Sequence, residues 1–285
     1  MSANRFKLIS LIALLCLLPI EASSHEVGTP FSGAFPEPLL LHHAHIEDEQ
    51  RINLTRFENF RTERGEESAL SGEMELAFTW LDDFRLGSEI FIPISNTGVS
   101  NSEYGVGDLE IQPIKYAFVN LPETVLTGAI SVALPTGDKT RGLGGVQTAL
   151  GGKLFLDQAW GNWYLGFNTE YEVTVWGPES SEAEFALAFT YSFIDETGDG
   201  VAPAMPHQKM VTTAMLELVS ESVLSGEENG ENIITLAPGV QFWFPESNWK
   251  VRMGVGFPLT TDREDDFALY FQFGNHFDWG LDFSH

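Results

Sequence analysis

The chain has 285 residues, and its 41 acidic against 15 basic side chains give a formal net charge of −26. Such an acidic excess excludes a nucleic-acid-binding protein, which needs a basic face. Aromatic residues make up 12% of the chain, which excludes an acidic disordered polypeptide. Its single cysteine excludes a disulfide scaffold or a zinc ribbon.

The first 24 residues have the pattern of a secretory signal peptide. Arg5 and Lys7 form a basic start, residues 8–20 are apolar, and Ala22 begins a short run of small residues suited to cleavage. The apolar run is too short for a membrane-spanning helix. The sequence therefore predicts an exported product that is periplasmic, secreted or a β-barrel.

Over most of the remaining chain, apolar and polar side chains alternate with a period of two. The stretch 163–173, for example, places Trp163, Leu165 and Phe167 on one face and Asn168 on the other. Successive side chains of a β-strand point to opposite faces, so each stretch has one apolar and one polar side. About 12 such strands are predicted, with approximate bounds 50–62, 68–81, 84–94, 106–119, 124–134, 146–156, 162–176, 183–194, 209–222, 231–244, 249–259 and 266–277.

The fourth of these stretches changes phase at Pro113. Leu109 and Ile111 lie on one face, whereas Ile114 and Tyr116 follow the opposite phase. Because proline cannot donate a hydrogen bond to a β-ladder, this position predicts a bulge or a local break in the strand.

The connections between the stretches alternate between short and long. Short ones lie at 82–83, 120–123, 157–161 and 245–248, whereas the connection 195–208 is long where the alternation requires a short turn. Short turns on one rim and longer polar loops on the other indicate an all-β, antiparallel transmembrane β-barrel of about 12 strands. A soluble β-sandwich is the alternative fold, because its strands alternate in the same way.

The barrel interpretation divides the chain into three parts. We expect a signal peptide at 1–24, a periplasmic extension or partial plug at 25–49, and an outer-membrane β-barrel at 50–285. The expected location is the outer membrane of a gram-negative cell, with membrane lipid as the surrounding partner.

Several short glycine-rich motifs resemble one known family. They are Gly105-Val-Gly-Asp-Leu-Glu-Ile111 followed by Lys115-Tyr116, Ala133-Leu-Pro-Thr-Gly-Asp138, Gly142-Leu-Gly-Gly145, Ala237-Pro-Gly-Val240 and Gly254-Val-Gly-Phe257. Over residues 68–277 the pattern resembles the outer-membrane transporters named for the MetA-pathway of phenol degradation. The resemblance implies a barrel that passes small solutes, with a link to aromatic compounds, and it brings no catalytic residues.

The polar faces of the predicted strands carry many charged side chains that we expect to line the lumen. They are Glu73, Glu75, Arg85, Glu89, Glu110, Lys115, Lys153, Glu170, Glu172, Glu184, Glu217, Lys250 and Arg252. Such charges either pair with one another in a filled interior or line a pore that selects ions. A 12-strand barrel lies between filled 8-strand barrels and open 16-strand porins, so both interpretations stay open.

A glycine-rich connection and a histidine cluster are the other candidate sites. The connection contains Asp138, Lys139 and Arg141, but its spacing is not that of a phosphate-binding loop, and we expect a long barrel loop that can fold toward the lumen.

The histidine cluster comprises His42, His43 and His45, which lie close to several acidic residues. Imidazole and carboxylate groups together can hold Zn²⁺, Cu²⁺ or Ni²⁺. The preceding leucines at 39–41 favour the other interpretation, a segment that packs against the barrel floor. A divalent cation is therefore the one cofactor that the pattern leaves open.

The sequence does not indicate an enzyme. It has no Gly-x-Ser-x-Gly motif, and His276 has no serine partner that can be assigned from the sequence. The predicted function is passive passage of small solutes. The alternative is a surface binding or adhesion barrel whose acidic loops hold divalent cations and whose pore is not open.

Overall fold

The computed structural model describes residues 36–62, 65–80, 84–96, 104–194, 209–261 and 266–276. The predicted signal peptide, residues 25–35 and the long connection 195–208 lie outside these residues.

The described residues form thirteen β-strands and one short 3-10 helix at Lys139–Arg141. The strands are β1 (Glu49–Thr62), β2 (Gly65–Thr79), β3 (Leu86–Asn96), β4 (Tyr104–Val106), β5 (Leu109–Leu121), β6 (Thr124–Leu134), β7 (Thr148–Trp160), β8 (Trp163–Trp176), β9 (Ser181–Phe193), β10 (Val211–Ser225), β11 (Asn232–Phe244), β12 (Trp249–Pro258) and β13 (Phe267–His276). No helix in this part of the chain is long and apolar enough to cross a membrane.

The strands form one closed antiparallel sheet. Consecutive strands pair around the sheet, and β1 pairs with both β2 and β13, so that Glu49 lies opposite Ala77 on one side and His276 on the other. The short β4 and the longer β5 both pair with β3, and they occupy one position in the barrel. The result is a closed 12-strand β-barrel, which confirms the predicted fold class.

The fourth predicted strand is wrong in one respect, because it is divided into β4 and β5 at Gly107 and Asp108. The Asp108 carboxylate accepts hydrogen bonds from the backbone N–H groups of Gly137, at 2.8 Å, and Gly145, at 2.6 Å. These contacts with the β6–β7 connection accompany the break, while the Gly107 N–H still donates to the Pro93 carbonyl of β3 at 2.8 Å.

The predicted irregularity at Pro113 is confirmed. The register between β5 and β6 shifts between Ile111 and Ile114. The buried, inward-facing positions change parity across the shift, from Gln112 to Lys115. Both halves of the strand therefore keep their apolar side chains on the outside.

The outer surface of the barrel is apolar, and its inner surface is polar. On β7, Leu150 and Leu154 are 42% and 39% exposed, whereas the intervening Lys153 is buried. At the short-turn rim Trp163 stacks on Phe189 with ring centroids 4.9 Å apart. An apolar band bordered by aromatic residues is typical of a barrel that lies in a membrane.

A pair of substitutions on β9 tests this assignment of faces. Leu187→Lys should lower the free energy of unfolding in lipid vesicles by about 2–4 kcal/mol, because an ammonium group would face hydrocarbon near the middle of the strand. Glu184→Lys should cost much less, because residue 184 points into the lumen beside other carboxylates. Guanidinium-induced unfolding measures both effects, and equal costs would contradict the assignment.

Candidate functional site

Residues 36–48, which precede β1, lie inside the barrel; we call them the luminal segment. Within it, Leu39, Leu41 and Ala44 are 4%, 2% and 0% exposed. The segment contacts the inward faces of strands around the barrel, from Arg51 on β1, beside Glu37, to Gln272 on β13, which donates to the Leu39 carbonyl. We call the luminal segment and the inward side chains that contact it the filled layer.

The filled layer lies in the half of the barrel nearest the short turns. Two of the side chains that contact the segment, Thr127 and Asp157, stand three residues from the short-turn ends of β6 and β7. Nearer the long loops, inward side chains such as Glu170 and Glu172 are partly exposed. The lumen therefore has two layers of different character.

Glycines on the inner wall make room for the aliphatic side chains of the segment. A Cβ atom added at Gly239 or at Gly254 would collide with Leu39, and one added at Gly166 would lie 2.8 Å from Leu41. Ile46 is related to Gly87 in the same way. The wall and the segment are thus complementary in shape, and larger wall residues would displace the segment.

The Glu37 carboxylate ties the segment to the wall through ion pairs. It is fully buried and accepts hydrogen bonds from Lys250, and it lies 2.5 Å from Arg252 Nη2 and 3.8 Å from Arg51 Nη1. A buried charge is stable only when opposite charges and hydrogen bonds offset its lost hydration. Glu37 therefore depends on the wall cations, and these cations depend on Glu37.

A second carboxylate, Glu217, binds the backbone of the segment. It accepts hydrogen bonds from three consecutive N–H groups, those of Leu39, Leu40 and Leu41, at 2.6, 2.8 and 3.1 Å. Buried backbone donors need such acceptors when no secondary structure supplies them. Glu217 thus holds an irregular segment in place.

Asp157 and Lys115 hold the middle of the segment. The Asp157 carboxylate accepts hydrogen bonds from the Ala44 N–H at 2.8 Å and from the Tyr164 hydroxyl at 2.6 Å. The Lys115 ammonium donates to the His43 carbonyl at 2.9 Å and pairs with Glu89 at 2.5 Å. The segment is therefore held at its histidines as well as at residues 39–41, which precede them.

His43 and His45 stack on each other, with ring centroids 3.9 Å apart. Burial lowers the pKa of the His43 imidazole, which favours its neutral form. Burial also lowers the pKa of His45, but the Glu47 and Asp157 carboxylates outweigh this effect and raise it to about 9. The predicted cluster also includes His42, which packs edge-on against Phe91 at 5.1 Å.

The loop-side layer of the lumen is acidic; we call it the acidic vestibule. Its inward carboxylates are Glu73, Glu110, Glu170, Glu172, Glu182, Glu184 and Glu221. Across the β8–β9 pair, Glu170 lies opposite Glu184, and Glu172 lies opposite Glu182. Like charges in such positions repel each other, so the vestibule favours cations.

Lys153 lies where the filled layer meets the vestibule. Its Nζ atom is 2.6 Å from Glu110 and 3.0 Å from Glu170. These two carboxylates are therefore partly neutralised, whereas Glu172 and Glu184 face other acids across the sheet.

The charged residues predicted to line the lumen divide between the two layers. Buried near the filled layer are Glu75, Glu89, Lys115, Lys153, Glu217, Lys250 and Arg252, and on the vestibule side are Glu73, Glu110, Glu170, Glu172 and Glu184. Arg85 lies in the turn before β3, where its Nη1 atom donates to the Ala117 carbonyl at 3.4 Å.

Sequence reasoning missed Glu37, Arg51 and Asp157. Glu37 lies in a segment without periodicity, so no pattern marked it. Asp157 was assigned to a turn, although it continues the inward parity of Lys153 along β7. Extending the predicted strand 146–156 by four residues, to the observed end of β7 at Trp160, would have identified Asp157 as an inward residue.

The glycine-rich connection folds onto the inner wall at the mouth of the barrel. Its Leu143 is 4% exposed and lies against Gly105 and Gly107. Asp138 accepts hydrogen bonds from the backbone and hydroxyl of Thr140, which lower the pKa of Asp138. The predicted loop residues Lys139 and Arg141 lie in the exposed 3-10 turn that follows.

Comparison with known proteins shows likeness in fold. No protein-family model and no curated protein matches the chain. The structure of an outer membrane channel from Pseudomonas putida F1 is 11% identical, with a TM-score of 0.57 over 85% of this chain and 100% of that chain. The NanC porin is 10% identical, with a TM-score of 0.49 over 81% and 99% of the two chains. The first of these likenesses is consistent with the barrel fold described above.

Thiol labelling tests whether the luminal segment occupies the barrel in the membrane. Ala44→Cys, in a Cys16→Ser background, should react slowly with a soluble maleimide, because Ala44 is fully buried. Gly239→Val should raise the labelling rate, because the new side chain collides with Leu39. Gly152→Val is the control, since residue 152 faces outward on β7 and a Cβ atom there meets nothing within 4 Å. Rapid labelling of Ala44→Cys alone would show that the segment is outside the barrel.

Proposed function

We propose that the protein is an outer-membrane channel for small solutes that the luminal segment holds closed. The observation that carries this proposal is the division of the lumen into an acidic vestibule and a filled layer. The filled layer consists of a segment continuous with β1 rather than of strand side chains alone. A segment of this kind can move while the barrel stays intact.

Three features support the outer-membrane location. The barrel has an apolar outer band with aromatic residues at one rim, its fold is similar to that of an outer membrane channel, and the sequence begins with the pattern of a signal peptide.

The vestibule supports a preference for cations. Its carboxylates are joined at the loop-side rim by exposed acidic residues, among them Glu179, Glu227, Glu228 and Glu231. Such a rim concentrates cations at the mouth, with a reach of about 10 Å at 0.1 M salt.

The resemblance to the transporters named for the MetA-pathway of phenol degradation is the reason to propose aromatic compounds as solutes. A liposome-swelling panel of aromatic acids, aliphatic acids, sugars and metal salts, run on the Glu37→Gln variant, tests this. Faster swelling with the aromatic acids than with aliphatic acids of the same charge and similar size is the expected result, because the acidic vestibule affects both classes alike.

The filled layer also favours a second candidate function. Inward side chains at this depth, such as Lys115, Asp157 and Arg252, are almost completely buried, which is the packing expected of a closed barrel. In that case the acidic loops would bind divalent cations and bridge to neighbouring surface molecules, and no solute would pass.

Planar-bilayer recordings separate the two candidates. Glu37→Gln should raise the conductance above that of the wild type, because it leaves Lys250 and Arg252 without their buried partner, at a cost of about 3–5 kcal/mol to the filled layer. Glu246→Gln, in an exposed turn, is the control and should change nothing. A well-folded Glu37→Gln barrel that never conducts would favour the binding function.

The reversal potential across a KCl gradient tests the cation preference. In the Glu37→Gln background we expect cation selectivity that weakens as salt rises. Replacing Glu172 and Glu184 by Gln should reduce the selectivity, because these vestibule carboxylates face other acids. Glu123→Gln, in an exposed short turn, should have little effect. Anion selectivity in the parent variant would refute the proposed role of the vestibule.

A further inference from the structure

We infer that His43, His45 and Glu47 form a binding site for a transition-metal dication inside the barrel. Each of the three side chains offers one ligand atom, and these atoms all lie within 4.8 Å of one another. The three residues are 1%, 8% and 7% exposed. A group of two imidazoles and one carboxylate in a dry interior is a donor set that Zn²⁺ accepts.

Hydrogen bonds orient both imidazole rings as metal-binding histidines are oriented. The Nδ1 atom of His43 lies 2.9 Å from the His45 carbonyl oxygen, and that of His45 lies 3.1 Å from Asp157. With Nδ1 bound to an acceptor, the Nε2 atom of each ring is directed at a carboxylate, Glu49 at 3.2 Å and Glu47 at 2.5 Å. A carbonyl or carboxylate behind each ring is the usual second layer of a metal site.

The chain itself explains why these ligands converge. His43, His45, Glu47 and Glu49 are alternate residues, and the chain bends at Ala44 and His45, so that the rings of His43 and His45 stack 3.9 Å apart. The intervening Ala44 is buried against the inner wall. The packing of Ala44 against the wall therefore helps to hold the histidines on either side of it in place.

The charge balance of the barrel interior favours a bound cation. Among the described residues, seven buried carboxylates, those of Glu37, Glu47, Glu49, Glu75, Glu89, Asp157 and Glu217, accompany five buried basic side chains, those of Arg51, Lys115, Lys153, Lys250 and Arg252. Uncompensated charge in such an interior is costly. A dication would reduce this excess of negative charge, which the His45 imidazolium offsets only in part when no metal is bound.

A neighbouring group formed by His43, Glu49 and Glu75 is also compact enough to hold an ion. Its carboxylates, however, already face cations, because Glu75 pairs with Arg51 and Glu49 lies 3.6 Å from Arg252. Glu47 instead pairs with the His45 imidazole, which can give up its proton and bind a metal whereas a guanidinium cannot, so the His43–His45–Glu47 group is the better site. Its imidazole nitrogens select Zn²⁺, Cu²⁺ or Ni²⁺ over Mg²⁺ and Ca²⁺, which prefer oxygen ligands alone.

Calorimetry with Zn²⁺ on the purified full barrel in detergent tests the site, and heat-modifiability on gels checks that each variant is folded. We expect one Zn²⁺ per chain for the wild type and no binding of Mg²⁺. His43→Gln and His45→Gln should each abolish Zn²⁺ binding. His42→Gln is the matched control and should bind like the wild type, because His42 belongs to neither group.

Absence of Zn²⁺ binding to the wild type would overturn the proposal, and so would retained binding in folded His43→Gln or His45→Gln. If these variants do not fold, X-ray absorption of the Zn²⁺-loaded wild type decides, with two imidazole ligands expected and fewer contradicting the site. Neither measurement depends on conductance, so this site and the channel function succeed or fail separately.

Discussion

A charge removed from water must be matched by an opposite charge, and this constraint governs the inside of the barrel. Glu37 lies among Arg51, Lys250 and Arg252, and its removal would take a carboxylate from all three, although Arg51 keeps Glu75 and Arg252 lies 3.6 Å from Glu49. The segment and the inner wall therefore stabilise each other. The glycines opposite Leu39 and Leu41 show the same mutual dependence in shape rather than in charge.

Much of the fold could be predicted from the sequence, because lipid and lumen impose opposite demands on successive residues of each strand. Strand β6 was predicted at its observed bounds, 124–134. The phase change at Pro113 correctly located the register shift between β5 and β6. The break at Gly107 could not be predicted, since it depends on Asp108 meeting the backbone of Gly137 and Gly145, which are remote in sequence.

The candidate site was predictable in composition but not in arrangement. Alternation marked Glu217, Lys250 and Arg252 as inward charges, yet it could not say whether they border water or a polypeptide segment. That depends on residues 36–48, which have no periodicity and reach their partners across the barrel. The two interpretations of the lumen, filled and open, turn out to describe different depths of one structure.

The ion pair between Glu37 and Lys250 joins residues 213 positions apart. Closing so long a loop carries an entropic cost that is recovered only when nearly the whole chain has been assembled. During insertion, the segment cannot form its ion pairs with Lys250 and Arg252 until β12, which carries both residues, has joined the sheet. Barrel closure and burial of the segment are thus expected to be one cooperative event. Residues at the start of the described chain become buried only when strands near its end, which are synthesised last, have formed.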